Sequence, residues 1–194
     1  VKIDGIPSPV SAPAPDRSTW RRVPIPPGVK GTKAELEIIA ALAREAVTDP
    51  FFVEEARSIV RGVRGRDYQG EAAAILGYVR EMTDYRHDPI GVDEVDRISS
   101  PGYLLFVDPQ GDCDDMVALV CALNLGVGHG CMIRAVRLDP NREDFSHVYA
   151  LAGIPGPGGP TWLGQDAVTS FPLGWEPPRE DWVGESLDLV VAFP

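Results

Sequence analysis

Three side chains that together can make or break an acyl bond stand in the second half of the chain. They are a cysteine in Gly111-Asp112-Cys113-Asp114-Asp115, a histidine in Ser146-His147-Val148-Tyr149-Ala150 and an aspartate in Trp162-Leu163-Gly164-Gln165-Asp166. A cysteine sulfur can attack a carbonyl carbon, an imidazole can take its proton and return one to the leaving group, and a carboxylate can hold that imidazole in its working tautomer. Cys113 is therefore the candidate nucleophile, His147 the candidate base and Asp166 the candidate orienter. Three aspartates beside the thiol oppose a thiolate. A helix N-terminus offers an anion about 0.3–1 kcal/mol, and up to about 2 when partly buried. An imidazolium at contact is worth about 4 kcal/mol at an effective dielectric near 20. The histidine is thus expected to decide the ionisation, with Asp112, Asp114 and Asp115 turned to solvent or to helix N–H groups.

The elements around these residues must bring them together. From Cys113 the residues Met116 to Leu123 are all apolar, so the helix they form, running to Leu125 and closed by Gly126, must be buried on every side. After it the period changes to two. Strands are expected over Cys131 to Leu138, Ser146 to Ala152 and Thr161 to Ala167, linked by Asp139-Pro140-Asn141 and by a Pro- and Gly-rich turn at 154–160. Turn-linked consecutive strands imply an antiparallel meander. Alternation puts His147 and Tyr149 on one face, and Trp162, Gly164 and Asp166 on one face. If the two strands pair with these faces together, Asp166 reaches the imidazole. Asp144 is a rival orienter, disfavoured because it lies three residues before His147 in the connecting loop.

The first half reads as helical. Thr32-Lys33-Ala34-Glu35 has the form of a capping box opening a helix to about Val47, with Leu36, Ile39, Ala43 and Val47 inward. Asp49-Pro50 opens a second helix with Val53, Ala56, Ile59 and Val60 inward. A third, from about Gln69 to Thr83, buries Ala72, Leu76, Val79 and Met82. Residues 85–110 read as turns with a short helix near Val92 to Arg97. The tail from Phe171 reads as irregular with a late strand at Leu187 to Val191. The fold class is α+β, with N-terminal helices and a buried central helix packed on an antiparallel sheet, in a domain over 31–194. Residues 1–30, with seven prolines, form an extended arm that either drapes over the surface or holds a neighbouring subunit.

A formal charge of −11 argues against a nucleic-acid partner. No apolar run is long enough for a membrane span, so a cytoplasmic protein is expected, or a virion protein if phage-encoded. The three cysteines are too few and too odd in number for a disulfide framework. Cys113 and Cys121 on one helix would be about 12 Å apart, beyond bridging range. Cys121 and Cys131 are read as packing residues, and a reducing compartment as the simpler setting. His129 and His87 are read as loop and turn residues. The spacing of Asp108, Asp112, Asp114 and Asp115 does not fit an EF-hand, and neither metal nor cofactor is expected.

Gly111-Asp112-Cys113-Asp114-Asp115 with its apolar helix, Phe145-Ser146-His147-Val148-Tyr149-Ala150 and Trp162-Leu163-Gly164-Gln165-Asp166, in that order, resemble the transglutaminase-like cysteine proteinase superfamily, and most of all its bacterial and Mu-like phage branch. Tyr85-Arg86-His87-Asp88-Pro89 and Pro172-Leu173-Gly174-Trp175-Glu176-Pro177 are similar to that branch too. The resemblance covers roughly residues 30–178. It implies a papain-like fold and an acyl-enzyme on Cys113, with His147 as base and Asp166 as orienter, acting on a peptide, amide or ester carbonyl without calcium. The third motif departs from the family pattern in reading Asp166-Ala167-Val168-Thr169. A second oxyanion donor beside the Cys113 N–H is not identified by the motifs, Gln110 being the nearest in sequence. Two functions are left open, a cysteine peptidase or amidase and a structural component of a phage or prophage-derived particle that keeps the fold, its arm serving self-association or particle contacts.

Overall fold

The computed structural model describes residues 23–87, 97–141 and 145–193. Most of the proline-rich arm, the short helix expected at 92–97 except for Arg97, and the rival orienter Asp144 lie outside them. Helix α5 (Cys113–Val127) is the element around which the rest is packed. Its residues Met116 to Leu123 are each at most 4% exposed. Helices α1 (Val29–Ala46), α2 (Pro50–Val60), α3 (Tyr68–Met82) and α4 (Pro101–Phe106) all pack against it, as do strands β3 (Gly130–Val136) and β4 (His147–Ile154). With β5 (Thr161–Gln165) and β6 (Leu187–Ala192) these form an antiparallel sheet in the order β5-β4-β3-β6. The fold is therefore α+β with a buried helix on an antiparallel sheet, as the periodicities imply. The meander β3-β4-β5 pairs Ala135 with Val148 and Ala150 with Gln165. The late strand closes the other edge against β3. A two-residue parallel pair, β1 (Asp84–Tyr85) with β2 (Gln110–Gly111), joins the end of α3 to the segment before α5.

Several boundaries differ from the sequence expectation for physical reasons. Helix α1 starts three residues before Thr32. The Gly28 carbonyl accepts from the N–H groups of Gly31 and Thr32, and Gly28 itself sits at φ +71, a conformation that glycine enters without a Cβ penalty. Thr32 is thus inside the helix and buried, and the cap residue Gly28 offers no side chain. Helix α2 begins as expected, Asp49 accepting from Phe51 N–H at 2.9 Å. Its inward face includes Phe52, whereas Val53 is only half-buried. In α3, Ile75 is buried, and Met82, expected inward, is 38% exposed. Helix α4 was not expected at all, although Ser100-Pro101 carries the signal, a cap residue followed by proline at the first helical position.

Helix α5 does not stop at Gly126. It ends at Val127 with Gly128 in the left-handed conformation. Gly126 has a packing role instead, since a Cβ there would lie 2.7 Å from the Ala56 Cβ of α2. A glycine of the same kind fixes the tail. A Cβ on Gly164 of β5 would overlap the Trp175 carbonyl oxygen, and Gly174 N–H donates to the Gly164 carbonyl at 2.8 Å. The tail is held to β5 by close backbone approach. Gly164→Ala should therefore lower the unfolding free energy in urea by about 1–3 kcal/mol, the usual cost of overpacking. An unchanged midpoint would show that the tail moves aside freely.

Candidate active site

The Cys113 thiol is placed by the start of α5. Asp112 is the N-cap, accepting from Asp114 N–H at 3.1 Å, and the Asp115 side chain returns to the Asp112 N–H at 3.2 Å, completing a capping box. Asp115 is 3% exposed and also accepts from the Ser99 N–H. Asp112 and Asp115 are thus turned to backbone N–H groups, one of the two settings expected for the aspartates, and Asp115 is buried there. Gly111 leaves room for the arrangement, because a Cβ there would press on the Asp115 side chain. Cys113 is thereby fixed as the first residue of the helix, half-buried, with its sulfur against the backbone N–H of Val148, the residue after His147.

His147 and Asp166 meet across β4 and the end of β5. His147 Nε2 lies 2.8 Å from Asp166 Oδ2, with the carboxylate side chain 2% and the imidazole 13% exposed. The other carboxylate oxygen accepts from Val168 N–H at 3.0 Å. When Nε2–H donates to the carboxylate, Nδ1 carries the lone pair that can take a proton. The imidazole is also stacked on Tyr149, ring centroids 5.7 Å apart and 27° between planes. Tyr149 is in turn tied by its hydroxyl to Glu176 at 2.8 Å, and Glu176 to Arg134 at 2.6 Å.

The electrostatics of the thiol run opposite to the sequence expectation. Its hydrogen-bond partner is Asp114 Oδ1, at 3.7 Å, not the His147 ring. Burial, and then Asp114 and Asp112, push the Cys113 thiol well above its ordinary range, and the Val148 N–H only partly opposes them. The physical reason is geometric. The thiol hydrogen points to an acceptor on its own helix, and burial takes the sulfur out of the water that would solvate a thiolate. The same charges act on Tyr85 of β1, whose hydroxyl is pushed up to about 12 by burial and then by Cys113, Asp112 and Asp114. Tyr85, which opens one of the stretches similar to the family branch, therefore lies beside the site, a position its motif did not assign. Gln110 is exposed, its amide oxygen accepting from Arg86 Nη1.

Among the described residues, one group of three could hold a metal ion. The ligand atoms of Asp112, Cys113 and Asp114 lie within 4.8 Å of one another. Two carboxylates and a soft thiol do not make the oxygen set that calcium or magnesium takes. His129, expected as a loop residue, is buried and bonded to Glu71 at 2.6 Å, which suits a structural part.

Two further supports were not foreseen. Arg80 of α3 donates to the Asp166 carbonyl at 2.6 Å and to the Phe171 carbonyl at 2.7 Å, pinning the chain after β5. Gln165, fully buried just before Asp166, accepts from Asn124 of α5 at 2.7 Å and donates to the Ala72 carbonyl of α3 at 2.8 Å. This amide bridge ties the helix that carries Cys113 to the strand that carries Asp166. Leaving such groups without partners costs about 1–3 kcal/mol. Gln165→Leu should thus destabilise the fold by about 2 kcal/mol in urea, and adding Asn124→Leu should cost less than the two single changes summed. Simple additivity would show that the two amides act independently.

No protein-family model and no curated protein sequence matches the chain. Solved structures that it resembles include a candidate cysteine protease from Cytophaga hutchinsonii (18% identity, TM-score 0.47, 72% of this chain) and a candidate protease from Parabacteroides distasonis (12% identity, TM-score 0.48, 71% of this chain). LapG of Legionella pneumophila is similar at 20% identity and a TM-score of 0.45, over 71% of this chain and 75% of LapG. The chain spans well under half the length of the first two of these proteins, 40% and 27%.

Proposed function

We propose that the chain is a thiol-dependent acyl-transfer enzyme of the transglutaminase-like superfamily, a cysteine peptidase or amidase working through an acyl-enzyme. The observation that carries this reading is the buried His147–Asp166 pair, 2.8 Å apart, with Val148, the residue after His147 on β4, placing its N–H at the Cys113 sulfur. A carboxylate 2% exposed against an imidazole is costly to hold without a use for it, and orienting a base is the use that chemistry supplies.

In this mechanism Cys113 starts as the neutral thiol. The sulfur attacks the substrate carbonyl carbon as its proton passes to His147 Nδ1, so no free thiolate has to persist beside Asp112 and Asp114. Asp166 stabilises the imidazolium that forms. The Cys113 backbone N–H, unpartnered within the helix at its first position, faces the developing oxyanion. His147 then gives its proton to the leaving amine, and water, activated by the same imidazole, releases the acid and the thiol.

The test is to incubate the protein with a mixed peptide pool and quench in acid. An acyl adduct on Cys113 and new peptide termini are expected, and both should be absent from Cys113→Ala. Peptide cleavage that survives in that variant would overturn the assignment.

A further inference from the structure

The two cysteines outside the site pack in the core, as expected, and they also meet each other there. Cys121, two turns beyond Cys113 on α5, and Cys131, near the start of β3, are both fully buried, and their sulfurs are 2.8 Å apart. Each is a free thiol in the structure. That separation is too short for two resting thiols, and an approach of about 0.8 Å would bring the sulfurs to a bond length of about 2.0 Å. The residues are ten apart in sequence, and Gly128, in the left-handed conformation, turns the chain from the end of α5 into β3 so that the two sulfurs meet. The cysteine count then divides into one reactive thiol and one pair, which removes the objection that an odd number argues against bridging.

We propose that Cys121 and Cys131 are a disulfide-forming pair that staples α5 to β3 when the chain folds in the presence of a small-molecule disulfide such as oxidised glutathione. The thiolate of one cysteine attacks a sulfur of that disulfide, and one glutathione thiolate leaves. The thiolate of the second cysteine attacks the protein sulfur of the mixed disulfide, and the second glutathione leaves. The two thiol protons end on the two glutathiones, so the protein loses two hydrogens and the oxidant is reduced to two thiols. Because both sulfurs are sealed from solvent in the folded chain, the exchange belongs to folding, before α5 is covered. The staple would then be inaccessible to reductants that still reach Cys113. The proposal does not depend on Cys113 being a nucleophile.

The test is to unfold the reduced full chain in urea and refold it at pH 8 in reduced and oxidised glutathione. The product is blocked with N-ethylmaleimide under denaturing conditions and mapped without reduction. The expected result is a Cys121–Cys131 linked peptide in most molecules, with Cys113 carrying the maleimide, and a thermal midpoint about 5–10 °C above that of the reduced protein. The same mapping on protein secreted through an oxidising compartment of an expression host reads the pair without a refolding step. Cys121 and Cys131 both found blocked by maleimide, or bridges involving Cys113 outnumbering the Cys121–Cys131 bridge, would overturn the proposal.

Discussion

His147→Ala should lower kcat/KM on any substrate that acylates Cys113 by about a thousandfold or more, and it should also lower the thermal midpoint, because Asp166 then keeps a buried carboxylate without its imidazole partner. The size follows from the resting state of the thiol. General-base assistance is commonly worth about 10²–10⁴-fold, and burial with Asp114 and Asp112 holds the Cys113 proton on the sulfur. Removing the imidazole leaves an attacking group that is both neutral and without an acceptor at Nδ1. Asp166→Asn should cost less, though still about a hundredfold or more, because the imidazole remains but loses both the charge that stabilises its protonated form and the acceptor that fixes its tautomer. The two changes together should cost about as much as His147→Ala alone, since both act through one proton transfer. Steady-state kinetics on the three variants, with circular dichroism to confirm folding, reads this ordering. A His147→Ala enzyme within tenfold of the parent would remove the imidazole from the reaction.

The juxtaposition of His147 and Asp166 was legible in the sequence because strand alternation is strict. His147 and Tyr149 share a face, Asp166 follows a five-residue strand, and the register that pairs Ala150 with Gln165 brings the two side chains together. The buried helix was legible for a similar reason, as Met116 to Leu123 leave it no polar face. What was not legible depends on distances between elements far apart in the chain. Gly126 looked like a helix stop, and only the approach of Ala56 shows that it is a contact between helices. Thr32 and Glu35 had the spacing of a capping box, yet the Gly28 carbonyl closes the first turn before them. The Asn124–Gln165–Ala72 bridge and the partnership of Cys121 and Cys131 are tertiary contacts with no local signature. The ionisation of Cys113 reads differently from the structure because the sequence supplied the charges but not the direction in which the thiol points.

Asp114→Asn should speed the alkylation of Cys113 by at least tenfold at pH 7.5. Asp114 accepts the thiol hydrogen at 3.7 Å and, after burial, is the largest influence that holds the proton in place. At that separation a unit charge interacts with a thiolate by about 4 kcal/mol at an effective dielectric near 20. Solvent screening at the half-buried site leaves a fraction of this, and one and a half kcal/mol or so is enough for a tenfold change. Asp112→Asn should act in the same direction more weakly, and it keeps the helix start intact because asparagine caps as well as aspartate. With iodoacetamide from pH 5 to 10, the parent's rate should climb throughout without an early plateau, and the Asp114→Asn profile should be displaced to lower pH. The same proton carries a stability consequence of fixed sign. The folded state keeps it above the pH, about 8.5, at which the unfolded chain gives it up. The contribution of Cys113 is therefore fully present at neutral pH and declines as pH rises beyond that point. Asp114→Asn should make the alkaline decline shallower. A parent profile already level below pH 7 would mean that His147 holds the sulfur as a thiolate after all, and that the aspartates have no say in the reactivity of Cys113.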